Sequence, residues 1–381
     1  MDGAYASSHP AGRVIFGSSK EHSMKAAVLY GVDQPLVIED VDVDDPRADE
    51  VLIRTSATGV CHSDLHFMEG KYPMACPAVL GHESAGIVEQ VGSEVTNVQP
   101  GDRVVVAFVA SCGHCDNCIQ GSPFLCLNTN RLNRPDRLSM NGQVVTQFAG
   151  MSAFAEKQLV SSTALVHVPD DVSMEAAALV GCSVMTGVGA ATNTARVQAG
   201  QTVAVVGCGG VGLNVIQGAV AAGASRVIAV DMLENKLAAA REFGATDVVD
   251  ASAGDPVAAV KELVRGGVDY AFEAIGLVQT AEQCFEMAKR GGRAVVVGML
   301  PFDSHVSLPG AAFLNEKGMI GSFYGSTRQT YDMAWLMELY RQGRLKIDEL
   351  ISRRYELGEI NEAYDALKAG EVNRSVLILD N

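Results

Sequence analysis

The chain has 381 residues, of which 48% are hydrophobic and 39 are Gly, and it carries a formal charge of −16 at pH 7. A length above what one core usually supports points to two domains, or one inserted into another, and this composition excludes a largely disordered chain. The negative balance, with no Lys/Arg block to interrupt it, disfavours nucleic acid and anionic membrane surfaces as partners, and no run of 18 or more apolar residues suggests a bilayer span.

The first 23 residues, MDGAYASSHPAGRVIFGSSKEHS, read as a flexible extension. Their one apolar stretch, residues 14–16, is too short for a signal-peptide core, so a cytoplasmic location is expected. In that compartment nine cysteines point to metal ligation or buried thiols rather than a disulfide framework. From residue 25 to about residue 180, short β-rich runs such as EVLIRTSATGV, SAGIVEQVG and DRVVVAFVA lie between turns, the pattern of a β-barrel-like domain.

The pattern changes near Gly181. VAVVG, RVIAVD, DVVD, YAFEAIG and RAVVVG are continuous apolar strands, as in a parallel sheet covered on both faces. Helical stretches closed by Gly, such as NVIQGAVAAG and NKLAAAREFG, separate them. The expected class is therefore α/β, with a doubly wound parallel sheet. After residue 322 come the helix TYDMAWLMELYRQG, a strand near RRYEL, the helix NEAYDALKAG and the strand SVLILD, which need a sheet to join. The N-terminal β domain is the natural host, giving a division into 24–181 with 323–381, and 182–322.

VAVVGCGGVG places Gly207, Gly209 and Gly212 in a G-x-G-x-x-G pattern between strand and helix. The first Gly permits the tight turn, the second lets a pyrophosphate approach the backbone, and the third allows close helix packing. A strand-to-helix turn without ligand is the alternative. The next strand ends in Asp231, where a carboxylate accepts from ribose hydroxyls and repels a 2′-phosphate, so NAD is favoured over NADP. Lys236 is either a second ribose contact or a solvated helix lysine.

In CGHCDNCIQGSPFLC, Cys112, Cys115, Cys118 and Cys126 can wrap a tetrahedral zinc with no position left for substrate, which makes the lobe at 110–127 structural. An iron–sulfur cluster is the competing reading, although the spacing departs from ferredoxin runs. His114 reads as solvated. Elsewhere Cys61, His82 with Glu83, and Cys182 stand as isolated metal-capable residues. Two cysteines and a histidine, with the fourth position open, form the ligand set of an alcohol-oxidising zinc site.

From residue 24 to the end, the order and separation of these motifs closely resemble the zinc-containing alcohol dehydrogenases of the medium-chain dehydrogenase/reductase family, whose catalytic domain is GroES-like and whose nucleotide domain is a Rossmann fold. The resemblance implies two zinc ions and NAD, with Cys61, His82 and Cys182 holding the catalytic zinc and Glu83 an acidic neighbour that tunes it. It further implies that Ser63 contacts the substrate oxygen, that His66 passes the proton to solvent, and that His62 and Arg374 meet the cofactor pyrophosphate. Thr186 and Val297 would contact the nicotinamide, and Phe108 would line the substrate pocket. The implied reaction is reversible oxidation of a primary or secondary alcohol, in a homodimer or homotetramer.

A hydroxymethyl-thiol adduct is the rival substrate, for which Arg131 is a possible carboxylate contact. Polyol and threonine dehydrogenases rank third, and a zinc interaction module on an inactive scaffold is the non-enzymatic alternative. Cys76, Cys208 and Cys284 read as buried or partly buried thiols. His9 and His22 read as solvated, and His167 and His305 lie in no motif.

Overall fold

Strand Glu50–Val60 is buried on both faces at every position but Arg54, and the first sheet is organised around it. In the computed structural model, which describes residues 23–379, it pairs antiparallel with Ser84–Val91, Lys157–Ser161 and Arg374–Ile378. Arg103–Val106 and Leu165–His167 extend this sheet on one side, and Ile351–Glu356 closes it on the other. The C-terminal strands therefore return to the N-terminal sheet as expected. Ser23–Leu29, Val37–Val43, Leu138–Met140, Gln143–Gln147 and Ala78–Val79 close a five-stranded barrel, and its core is continuous with Leu52, Val60 and Leu377 of the neighbouring sheet.

The second sheet has six parallel strands in the spatial order Asp247–Asp250, Arg226–Asp231, Thr202–Val206, Val268–Glu273, Ala288–Val296, Gly318–Gly321. Its chain order reverses beside Thr202–Val206, so a crevice for a dinucleotide opens at the carboxyl ends of these strands. The glycine turn follows that strand, and helix Gly210–Ala221 leads away from it.

The longest departure from the sequence reading is helix Met174–Thr194. Residues up to about 180 read as β-rich, yet MEAAAL begins a helix whose N-cap Ser173 accepts from the Ala176 N–H at 3.1 Å. A helix that is apolar all round carries no amphipathic period, so nothing in the pattern separates it from buried strands. By length and mean hydropathy (1.4) it is also apolar enough to cross a membrane, but 83% of that window is buried inside the molecule. It packs with Ala57 and Ala85 of the first sheet and Val203 and Val205 of the second in one core. A domain boundary at 181/182 falls inside this helix.

Smaller differences follow. Ser23, assigned to the extension, opens the first strand, while residues 1–22 with His9 and His22 lie outside the described residues. Cys208 and Cys284 are buried, but Cys76 is exposed.

Candidate active site

Pairing of Thr58 with Ser84 and of Ser84 with Val106 sets three chain segments at one end of the first sheet. Cys61 follows the first strand, His82 and Glu83 precede the second, and Phe108 lies two residues beyond the third. Helix Met174–Thr194 brings Cys182 to the same place in its π-turn Val180–Val184, a wide turn of the kind often found at functional sites. The Tyr324 hydroxyl donates to the Gly181 carbonyl and fixes this turn. One ligand atom from each of Cys61, His82 and Cys182 lies within 4.8 Å of the others, and all three residues are buried.

The surroundings of these residues prepare them for a cation. Asp64 Oδ1 is 3.0 Å from His82 Nδ1 and accepts from the Gly81 N–H at 3.0 Å, so Nδ1 is committed and Nε2 is left as the ligand atom. Burial alone would lower the His82 imidazole, but Asp64 and Cys61 hold it well above its ordinary range. A hydrogen bond from Cys182 and the charge of Arg374 hold Cys61 well below the usual thiol range, the direction a thiolate ligand requires. Glu83 is fully buried. Its Oε1 accepts from the Ser183 N–H at 3.0 Å and the Ser183 hydroxyl at 2.6 Å, while its Oε2 lies 3.4 Å from Arg374 Nη1.

Ser63 Oγ lies 3.7 Å from Cys61 Sγ on helix His62–Met68. His66, one turn on, is half-buried with Nδ1 unpartnered. Desolvation and Lys71 lower its pKa; desolvation also lowers that of His62, with Arg374 adding to it.

At the second sheet Gly207 takes φ +93°, and a Cβ there would meet Ile275 at 2.4 Å. A Cβ on Gly212 would lie 1.8 Å from the Gly207 carbonyl, whereas one on Gly209 would meet nothing within 4 Å. The first and third glycines are thus packing requirements of the protein, and the second faces open space. Asp231 Oδ2 accepts from the Cys208 N–H at 2.8 Å, and Oδ1 accepts from Met232 and Leu233 N–H, which fixes the carboxylate at its strand end. Arg374 reaches the same turn: a Cβ on Gly210 would lie 2.2 Å from its Nε, which is buried without a partner.

Lys236 is not solvated. It is buried, and its Nζ donates to the Val372 carbonyl at 2.5 Å and Asn373 Oδ1 at 3.0 Å. Thr186 is half-buried one turn beyond Cys182. Val297 lies just past strand Ala288–Val296 rather than in it, and its N–H is spent on the Glu273 carbonyl.

Cys112, Cys115, Cys118 and Cys126 form the second cluster, with ligand atoms again within 4.8 Å. Backbone N–H groups of Cys115 and Asn128 donate to Cys112 and Cys126 Sγ at 3.3 and 3.4 Å. The Asn128 amide donates to Cys112 at 3.2 Å and helps bring that thiol down to about 5. His114 is exposed, its Nδ1 2.7 Å from the Cys112 carbonyl. Arg131, the possible carboxylate contact, sits at the lobe. It lines a cavity of about 220 Å³ beside the lobe, with Cys112, His114 and Asn128.

Aromatic rings wall the three-ligand site. Phe108 and Phe148 stand edge-on to His82 at centroid distances of 5.5 and 5.9 Å. Phe148 continues to Phe67 at 4.7 Å, Phe67 to Tyr72 at 5.6 Å, and Tyr72 to Phe302 at 5.7 Å. Tyr324 lies 3.9 Å from Phe108.

Two family models match, an alcohol dehydrogenase GroES-like domain over residues 47–170 and a zinc-binding dehydrogenase domain over residues 210–341. The chain belongs to the zinc-dependent alcohol dehydrogenases. It is 38% identical to the probable S-(hydroxymethyl)glutathione dehydrogenase 1 of Schizosaccharomyces pombe, over 94% of this chain and 97% of that one. It is 40% identical to the NDMA-dependent alcohol dehydrogenase of Amycolatopsis methanolica, over 93% and 98%. Among solved structures, the benzyl alcohol dehydrogenase of Acinetobacter calcoaceticus superposes with a TM-score of 0.88 at 33% identity, covering 93% of this chain and 99% of that one.

As a member of this family the chain is an oxidoreductase that acts on a small-molecule alcohol with zinc and NAD. Its residues fit both groups. The two-thiol, one-imidazole set suits a zinc ion with an open position and the four-thiol set a closed one, while the open space at Gly209 and the unpartnered Arg374 Nε suit a pyrophosphate.

The sequence reading missed three polar residues of this alcohol dehydrogenase site: Asp64, Ser183 and Glu273. Glu273 Oε1 accepts from Ile275, Gly276 and Leu277 N–H and from the Thr280 hydroxyl, while its carbonyl accepts from Val297 and Gly298, so one residue holds two turns at the crevice. Asp64, directly after Ser63, and the Glu ending YAFE stand in the sequence as ordinary carboxylates, and neither type implies a partner without the fold.

Proposed function

We propose that this chain catalyses reversible NAD-linked oxidation of a primary or secondary alcohol to an aldehyde or ketone at Cys61, His82 and Cys182. The observation that carries this is the convergence of those ligand atoms within 4.8 Å, joined through Arg374 to the Gly207–Gly212 turn.

Zinc at the open site supplies Lewis-acid polarisation of the alcohol oxygen, and NAD supplies the hydride acceptor. The protein does the rest. Ser63 Oγ, beside Cys61, receives the hydroxyl proton, and the free His66 Nδ1 passes it outward. Glu83 balances Arg374 and so tunes the charge near the metal. Arg374 and His62 hold the pyrophosphate, Asp231 the ribose, and Thr186 and the Val297 carbonyl orient the nicotinamide; Lys236 acts through Asn373 and Val372 by fixing the approach to Arg374. The Cys112, Cys115, Cys118 and Cys126 zinc is structural.

The catalytic portion is 24–181 with 323–381, and the nucleotide portion 182–322, with helix Met174–Thr194 as the shared beam between them. Edge strand Gly318–Gly321 of the six-stranded sheet, near exposed Phe313 and Leu314, favours self-association into a homodimer or homotetramer, and the location is cytoplasmic. Zinc analysis and NADH absorbance test the reading together. About two zinc per chain with alcohol-dependent NADH formation is expected, one of them lost in Cys61→Ser with activity abolished. One zinc in the wild type and no NADH would refute it.

A further inference from the structure

We propose that the alcohol taken by this site is aromatic, with the carbinol carbon attached directly to a flat ring. This rests on the dehydrogenase reading above and adds its substrate class.

The wall next to the metal ligands is made of rings. Phe108 and Phe148 present edge-to-face contacts to His82 at 90° and 75°, and the line runs on through Phe67 and Tyr72 to Phe302, which is 64% exposed and marks the outer end. The polar tips of this wall are spent inside the protein. The Tyr72 hydroxyl donates to the Leu300 carbonyl and the Tyr324 hydroxyl to the Gly181 carbonyl. The surface that Phe108 and Phe148 bring beside His82 is therefore ring surface, on which another ring packs in the same edge-to-face or offset geometry.

The basic side chains flanking these rings in sequence already carry acidic partners, for which a tail bearing carboxylates would have to compete. Arg134 is bound to Asp49 and Glu50, Arg137 to Asp44 and Glu50, and Lys71 to Glu69, and Arg131 faces the zinc lobe. These commitments weigh against a glutathione-type adduct. A short aliphatic alcohol would leave the ring wall uncovered. In the step itself, NAD held at the glycine turn would take the hydrogen of the carbinol C–H bond with its electron pair and leave as NADH. The hydroxyl proton leaves by way of Ser63, and a C=O bond forms, giving an aromatic aldehyde.

The test compares kcat/KM for benzyl alcohol, ethanol, 1-heptanol and the formaldehyde–glutathione adduct, with the purified zinc-loaded protein and NAD. Benzyl alcohol is expected to exceed ethanol by about 100-fold and 1-heptanol, of equal carbon count, by about 10-fold. Phe148→Ala and Phe108→Ala should each cut the benzyl-to-heptanol ratio by about 3- to 10-fold, and a ratio taken within one variant does not depend on how much of it is folded. A benzyl-to-heptanol ratio at or below one, or preference for the adduct, overturns the aromatic assignment while leaving the dehydrogenase reading intact. No NADH from any of the four overturns both.

Discussion

Asp64→Asn should loosen the catalytic zinc while leaving the lobe's zinc untouched. Asp64 is completely buried and touches no ligand thiol; its known work is to accept from the Gly81 N–H and to hold His82 Nδ1, each at 3.0 Å. Asparagine keeps the size and can keep one accepting oxygen, so the fold survives. It removes the negative charge that raises the basicity of the imidazole and fixes which ring nitrogen is free. Loss of a carboxylate behind a ligating histidine costs about 10- to 100-fold in metal affinity, or about 1.4 to 2.8 kcal/mol.

The assay is a titration with a chelator, counting zinc retained per chain and following NADH formation in parallel. In the wild type both decline together at a given free-zinc level. In Asp64→Asn that midpoint should move to about 10- to 100-fold higher free zinc, with the second, lobe-bound zinc released where it was before. Superimposable curves for the two proteins would show that Asp64 does not support the ligand, and the account of His82 would fail with it. Asp64→Ala is the harsher control. It strands two buried donors at about 1–3 kcal/mol each, so its melting temperature should fall, which Asp64→Asn should largely avoid.

Ser63→Ala should lower turnover at neutral pH by about 10²- to 10⁴-fold in steady-state kinetics, with zinc content unchanged; near-wild-type turnover would remove Ser63 from the proton path. Asp231→Gly combined with Met232→Arg should move cofactor preference from NAD toward NADP, read as the ratio of kcat/KM for the two, and an unchanged ratio would remove Asp231 from the ribose site. Gly209→Ala and Gly212→Ala should differ in kind. The first meets no protein atom and should keep its melting temperature while losing NADH binding by fluorescence titration, whereas the second drives a methyl into the Gly207 carbonyl and should fail to fold normally. If both fold and bind alike, the middle glycine is not where the pyrophosphate lies.

The sequence discloses these parts unevenly, for physical reasons. Spacing suffices for the cysteine lobe, because four thiols within fifteen residues close on one ion whatever the rest of the chain does. The glycine turn is legible because each glycine answers a local demand. Cys61, His82 and Cys182 are joined only by strand register and by a helix that the pattern does not reveal, so they became a site through resemblance and not through spacing. Asp64 and Glu273 could not be assigned to the site for the same reason: each is an ordinary carboxylate until the fold supplies its partners. For Lys236 the sequence leaves a ribose contact and a solvated lysine open, because helix position alone does not show that the C-terminal segment lies across it.

Arg374 explains why the two halves of the site have to be built together. Its guanidinium is buried between Glu83, which belongs to the metal side, and Gly210, which begins the nucleotide helix. Arg374 meets the Glu83 carboxylate, the Val60 carbonyl and the Cys61 thiol, while its buried Nε lacks a partner. An anionic pyrophosphate at the glycine turn would meet that need. Ser183, adjacent to Cys182, holds the other oxygen of Glu83, so Arg374 and the helix that carries Cys182 share one carboxylate. The C-terminal strand therefore contributes more than sheet closure: it sets Arg374 against both the glycine turn and Glu83.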